Sequence, residues 1–154
     1  MAELIDRFGA LPETHYVPDV LAEGLRVVFC GTALGFASAA NRAYYAHPGN
    51  LFWKTLYRTG LTPSQLKPQE YTRALEYGIG LTDLCKHAYG LDTQLPKGAL
   101  DAESLREKMA RFRPGMLAFT SKTAAAAFMG KGTGKLPYGL QEERFGATRL
   151  FVLP

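Results

Sequence analysis

Two rhythms of apolar residues divide the chain. Short runs rich in large apolar side chains fall at residues 25–30, 80–85, 116–119 and 149–153. The first, Leu-Arg-Val-Val-Phe-Cys closed by Gly31, has the pattern of a strand buried on both faces, and Met-Leu-Ala-Phe at 116–119 predicts another. The run at 80–85 is shorter and more ambiguous. Between these runs the apolar positions recur at helical spacing. Leu51, Phe52, Leu56 and Tyr57 share one face of a helix predicted over 50–59 and stopped by Gly60. A second helix is predicted over 68–77, with Pro68 in its first turn and Gly78 at its end. Asp101 can cap a third, whose stripe is Ala102, Leu105, Met109 and Phe112 and whose other face carries Arg106, Lys108 and Arg111. An alanine-rich helix follows Thr120-Ser121-Lys122 and ends near Gly130.

Residues 1–24 read as a polar lead-in with Pro12 and Pro18, irregular apart from a short helical turn. Residues 86–98 form a long loop, and 131–146 a glycine- and charge-rich excursion before the last strand. Strands that alternate with helices predict an α/β fold. The expected architecture is a three-layer α/β/α sandwich around a central, mostly parallel sheet of about four strands.

Composition narrows the class. One domain of 154 residues, 47% hydrophobic with mean hydropathy −0.10, is long enough to bury a core. No apolar run approaches the ~20 residues that span a bilayer, and Glu3 and Asp6 make a poor secretory signal. Cys30 and Cys85 sit in apolar contexts, as reduced core thiols of an intracellular (cytoplasmic) protein do. The net charge of +4 suits a polyanionic partner without proving one.

In open α/β sheets ligands bind beyond the carboxyl ends of the strands, so the candidate chemistry lies in the loops there. Gly31-Thr32-Ala33-Leu34-Gly35 is small enough for backbone N–H groups to approach a bound group. Tyr44 and Tyr45 add flat faces, and His47-Pro48-Gly49-Asn50 turns the chain into the next helix. Together they describe a pocket for a flat, polar ring. Asp83, a lone acid at a strand end, can act on water there, or serve as a cap or turn residue. Ser38 reads as a ligand contact or a turn hydroxyl. Asn50 reads as a helix cap or a brace for the loop, and His47 as a buried structural histidine. Ser121 and Lys122, at a helix start, suit a phosphate, or Ser121 a cap. The Gly- and Lys-rich stretch 130–135 fits neither nucleotide-loop spacing and follows a helix. Cys85 with His87 is too sparse for zinc, so neither metal nor organic cofactor is expected.

Residues 25–54 resemble the opening motif of the uracil-DNA glycosylase superfamily, in particular its mismatch-specific uracil/thymine branch. That branch has an apolar strand ending in Phe-Cys-Gly, then Gly-Ile-Asn-Pro-Gly, an aromatic, and His-Pro-x-Asn-x-Phe-Trp-Lys. Phe29-Cys30-Gly31 and the run from His47 to Lys54 match it at the same spacing. The motif departs at Ala33, where the family has its catalytic Asn, and at Leu34, where it has Pro. The resemblance implies hydrolysis of the N-glycosidic bond of uracil in DNA by a monomeric, monofunctional enzyme, leaving an abasic site. It implies donors from the backbone of Gly31, Thr32, Ala33, Leu34 and Gly35, base contacts from Ser38 and Asn50, and Tyr45 as the stacking plate. Asp83 is the expected replacement for the missing Asn, and Ser121 and Lys122 the expected DNA contacts. A glycosylase for hypoxanthine or xanthine, or a lesion- or mismatch-binding protein without catalysis, are the alternatives that Ala33 leaves open. The family's second motif, an Asn-Pro-Ser-Gly-like loop and a final helix, follows a strand like that ending at Pro154, so residues 1–154 are expected to be part of a longer chain.

Overall fold

The structure, a computed structural model, describes residues 17–86 and 88–154 and the backbone of two short strands, β1 (Ile5–Asp6) and β2 (Gly9–Ala10), which pair antiparallel. The described residues of the lead-in contain no helical turn of the kind expected within residues 1–24; the rest of the lead-in before Val17, and His87, lie outside the described residues.

Five strands form the main sheet: β3 (Val27–Gly31), β4 (Ile79–Asp83), β5 (Met116–Phe119), β6 (Gly139–Phe145) and β7 (Thr148–Val152). Their order is β4-β3-β5-β7-β6, and all are parallel except β6, which pairs antiparallel with β7. The sheet thus has one strand more than the sequence pattern predicts. β6 lies inside the supposed excursion, and its burial explains why. Only Gly139, Gln141 and Phe145 are even partly covered, so this edge strand has no apolar run to betray it. At the opposite edge Val20 bridges Leu81 through two backbone bonds of 2.9 Å, shielding β4.

Every residue of β3 and β4 is buried, as their continuous runs require. Period-two alternation sends β3 side chains to two separate cores. Val27 and Phe29 pack with Trp53, Leu56 and Ala74, while Val28 and Cys30 pack with Leu105, Met109 and Phe128. The first core is covered by α1 (Phe36–Asn41), α2 (Phe52–Arg58) and a 3-10 segment, Pro68–Tyr77, kinked at Glu70. The second is covered by α3 (Ala102–Phe112) and α4 (Lys122–Met129). This is the expected three-layer sandwich. α1 is the helix that the small-residue composition of 31–40 hides, and the 3-10 winding of 68–77 is a tighter coil than the α-helix expected there.

Asp101 caps α3 by accepting from Ser104 N at 2.9 Å, and Ser121 caps α4 by accepting from Ala124 N at 3.2 Å. The chain goes from β3 to β4 on one side and then crosses to β5 on the other. β3 is therefore the switch point at which a doubly wound sheet opens a crevice. The carboxyl ends of β3 and β4 lie at that crevice.

Candidate active site

A cleft of about 370 Å³ opens over those strand ends. Of the residues expected from sequence, Ala33, Leu34, Gly35, Ser38, Tyr45, Asn50 and Asp83 line it, joined by His47 and by Phe36 and Leu91. Gly31 and Thr32 are outside the lining. Ser121 and Lys122 are also outside the lining: Ser121 caps α4, and the Lys122 ammonium sits 4.2 Å from the ring centre of Tyr138.

The loop after β3 is pinned from several directions. Gly31 O accepts from Leu84 N at 3.0 Å, Thr32 O from Cys85 N at 2.7 Å and Leu34 O from Gly90 N at 2.8 Å. The Thr32 hydroxyl donates to Asp92 Oδ1 at 2.6 Å, tying the long 86–98 loop to the same rim. Ser38 Oγ accepts from Ala46 N at 3.0 Å, so this buried hydroxyl braces the turn carrying the aromatic wall. Asn50 Oδ1 accepts from Phe52 N at 2.9 Å, bracing the turn that leads into α2, whose cap position is Leu51. His47 is exposed, not buried as expected, and its Nδ1 accepts from Gly49 N at 2.9 Å.

Tyr45 forms a wall of the cleft. Its ring stacks on Phe52, centroids 3.8 Å apart and planes 21° from parallel. Its backbone is left-handed at φ 53°, an uncommon conformation for a bulky residue and one that marks local strain. Its hydroxyl is buried without a hydrogen-bond partner. Burial and the nearby Asp83 charge push this phenol well above its usual range.

Asp83 closes β4 and is 5% exposed. Its Oδ2 has no hydrogen-bond partner. Burial pushes its carboxyl up to about 7, with Lys86 opposing and Asp19 adding to the rise. A carboxyl in that range changes charge near neutrality, as a proton acceptor for water must. It is not the isolated acid that the sequence suggests. Asp19 reaches Lys86 Nζ at 3.1 Å, Lys108 Nζ at 2.6 Å and the Thr82 hydroxyl at 2.7 Å. Lys86 Nζ in turn donates to the Tyr44 hydroxyl at 2.8 Å, and that hydroxyl donates to Pro18 O at 3.1 Å. The meeting of Asp19, Lys86 and Lys108 is not legible in the sequence, because they come from three separate segments of the chain. The placement of Lys86 directly after the apolar pair Leu84-Cys85 was the one available signal.

Among the described residues no three His, Cys, Asp or Glu side chains gather into a metal site, and no helix is long and apolar enough to cross a membrane. The fold has a counterpart in a solution NMR structure of a Methanosarcina acetivorans protein, described provisionally as a uracil DNA glycosylase. The match has a TM-score of 0.53 and 21% identity, over 77% of this chain and 79% of that one. The sequence model of the Uracil DNA glycosylase superfamily matches residues 18–154, so the pinned loop, the aromatic wall and Asp83 all fall within it. The chain belongs to the uracil DNA glycosylase superfamily.

Proposed function

We propose that the protein hydrolyses the N-glycosidic bond of uracil in DNA, with Asp83 receiving the proton of the attacking water. The observation that carries this reading is the Asp83 carboxyl, buried in the cleft wall with Oδ2 unpartnered and poised near neutrality. Excision needs the nucleotide out of the duplex, its ring held by edge and face, and charge stabilised as the bond breaks. The C1′–N1 bond breaks with its electron pair leaving on uracil. Water forms the new C1′–O bond, and its proton passes to the Asp83 carboxylate. Backbone N–H groups of Ala33, Leu34 and Gly35, which line the cleft, serve as donors to the leaving ring. Each such donor is worth about 3 kcal/mol in a preorganised site. Tyr45, backed by Phe52, supplies the stacking face, Ser38 and Asn50 hold the wall, and Ser121 and Lys122 meet the DNA backbone. Ala33 replaces a family Asn by a methyl group, and the space this leaves favours a second reading, excision of a larger deaminated base such as hypoxanthine or xanthine.

The test pairs the wild type with Asp83→Asn on single-stranded and G-paired uracil oligonucleotides, followed by alkali cleavage of abasic sites. The expected result is cutting by the wild type and a loss of about 100-fold or more in the variant. Equal cutting by both removes Asp83 from the mechanism. No cutting of uracil, with cutting of hypoxanthine or xanthine oligonucleotides, gives the second reading. Binding of the DNA with no cutting of any base leaves a recognition protein.

A further inference from the structure

Beside the cleft runs a second depression, a groove of about 450 Å³. The two share a wall, because Tyr45, His47 and Asn50 line both. That wall is held by short bonds. His47 O accepts from Asn50 N at 2.9 Å, Asn50 Oδ1 accepts from Phe52 N at 2.9 Å, and Trp53 Nε1 donates to Tyr44 O at 3.0 Å. Beyond the wall Trp53 and Leu66 lie buried in the groove lining, whereas the remaining lining is polar and cationic. Lys54 of α2 and Lys67, which precedes the 3-10 segment, both line the groove and are both exposed. Among the described residues no carboxylate lines it. The acid nearest in the chain, Glu70, is engaged elsewhere: its Oε1 accepts from Lys67 N and its Oε2 from Arg73 Nη1, both at 2.9 Å. A cationic groove that continues from a pocket for a flat ring suits a phosphodiester chain better than a second apolar ligand.

We propose that this groove holds the DNA backbone on one side of the nucleotide in the cleft, with Lys54 and Lys67 pairing with its phosphates. The proposal rests on the reading of the cleft as the site of a flipped nucleotide. Topology gives the strand a path. Trp53 and Leu66 belong to the core on one face of the sheet, and α4, where Lys122 stands, covers the core on the other. A strand that runs from the groove toward the start of α4 crosses the carboxyl edge of the sheet. The cleft opens at that edge, over the ends of β3 and β4. Cations on the two layers therefore straddle the cleft, and the chain is held on either side of the nucleotide whose bond breaks. Phosphate contacts of this kind fix register and carry no sequence information. They suit an enzyme that must act on one base in any surrounding sequence.

The test reads binding and does not depend on turnover. Fluorescence anisotropy follows the full chain on single strands and duplexes carrying an abasic-site analogue, between about 50 and 200 mM salt. Lys54→Ala and Lys67→Ala are each expected to weaken binding about 3- to 10-fold. Each should lower the slope of log K against log salt by about 1, and the double variant by about 2. Single strands and duplexes should respond alike, because the groove follows one strand. Shortening the oligonucleotide on one side of the abasic site should erase the difference between double variant and wild type, and shortening it on the other side should not. Arg113→Gln removes an exposed cation ahead of β5, at the opposite edge of the sheet, and should keep the wild-type slope. Both lysines are exposed, so the variants should unfold at the wild-type temperature and their weaker binding cannot be a loss of fold. An unchanged slope in the double variant, or a loss that shortening on either side leaves in place, overturns the proposal. Uracil excision by the wild type alongside that unchanged slope would leave the uracil reading standing without the groove. A lowered, one-sided slope with no uracil excision by the wild type would keep the groove and remove the uracil reading. A wild type that binds neither oligonucleotide overturns both.

Discussion

Gly31 and Asp83 are register partners at the ends of adjacent parallel strands, and a Cβ on Gly31 would stand 2.8 Å from Asp83 Oδ1 and 3.1 Å from Thr120 Oγ1. The glycine is needed for space, since its backbone is ordinary and only a side chain would collide. Gly31→Ala is therefore expected to push the Asp83 carboxyl aside and to destabilise by about 1–3 kcal/mol, the usual cost of overpacking. Gly35→Ala, with nothing within 4 Å of its Cβ, is the matched control and should leave the melting temperature unchanged. Thermal unfolding of the two variants checks this, and equal effects would remove the steric argument.

The raised carboxyl of Asp83 has a stability consequence with a definite sign. The folded protein holds this proton up to about 7 against an ordinary 3.8. The stabilisation from the protonated group is thus complete below about pH 4, falls as pH rises toward 7, and is gone above it. At about 1.4 kcal/mol per pH unit the whole effect is roughly 4 kcal/mol. Asp83→Asn, which cannot ionise, should flatten the pH dependence and unfold at higher urea than the wild type at pH 8. Near pH 4 the two should unfold alike. Parallel curves for both proteins across that range would mean that Asp83 is not the group responsible.

The opening strand, the alternation of layers and most of the pocket lining were legible because each depends on local chemistry. Continuous apolar runs mark strands buried on both faces, and Asp101 and Ser121 mark helix starts by the hydrogen bonds they can make. What escaped depended on distance or on weak signals. β6 is mostly exposed and carries no apolar run. His47 is exposed because its Nδ1 needs only the Gly49 N–H two residues away. The Asp19–Lys86–Lys108 cluster joins residues as much as 89 positions apart, and charge patterning along the chain cannot reveal such a grouping.

The Tyr45–Phe52 stack separates packing from recognition. Tyr45→Phe keeps both rings and removes a buried hydroxyl that has no partner. It should be neutral or stabilising by up to about 1 kcal/mol, with excision retained. Phe52→Ala removes the plate behind the tyrosine and part of the first core. It should cost about 2–3 kcal/mol of stability, because the ring is half-buried. It should also weaken substrate capture. Urea unfolding with KM and kcat measured separately decides the matter. A Tyr45→Phe variant with a large loss of activity would give the hydroxyl a role that the geometry does not assign.

At the start of α4, Ser121 and Lys122 can be told apart by salt. Ser121 Oγ accepts from Ala124 N, so Ser121→Ala should lose about 1 kcal/mol of stability, the usual worth of a cap. It should leave the dependence of DNA binding on salt unchanged. Lys122 holds its ammonium against the ring of Tyr138, a residue 57% exposed. If that ammonium also meets a phosphate, Lys122→Ala should weaken binding to every DNA sequence alike. It should also lower the slope of log K against log salt by about 1, the release of one counterion. Fluorescence anisotropy with an abasic-site duplex between about 50 and 200 mM salt spans the range in which such slopes are resolved. An unchanged slope in Lys122→Ala would confine this lysine to its contact with Tyr138 and move the DNA backbone away from α4.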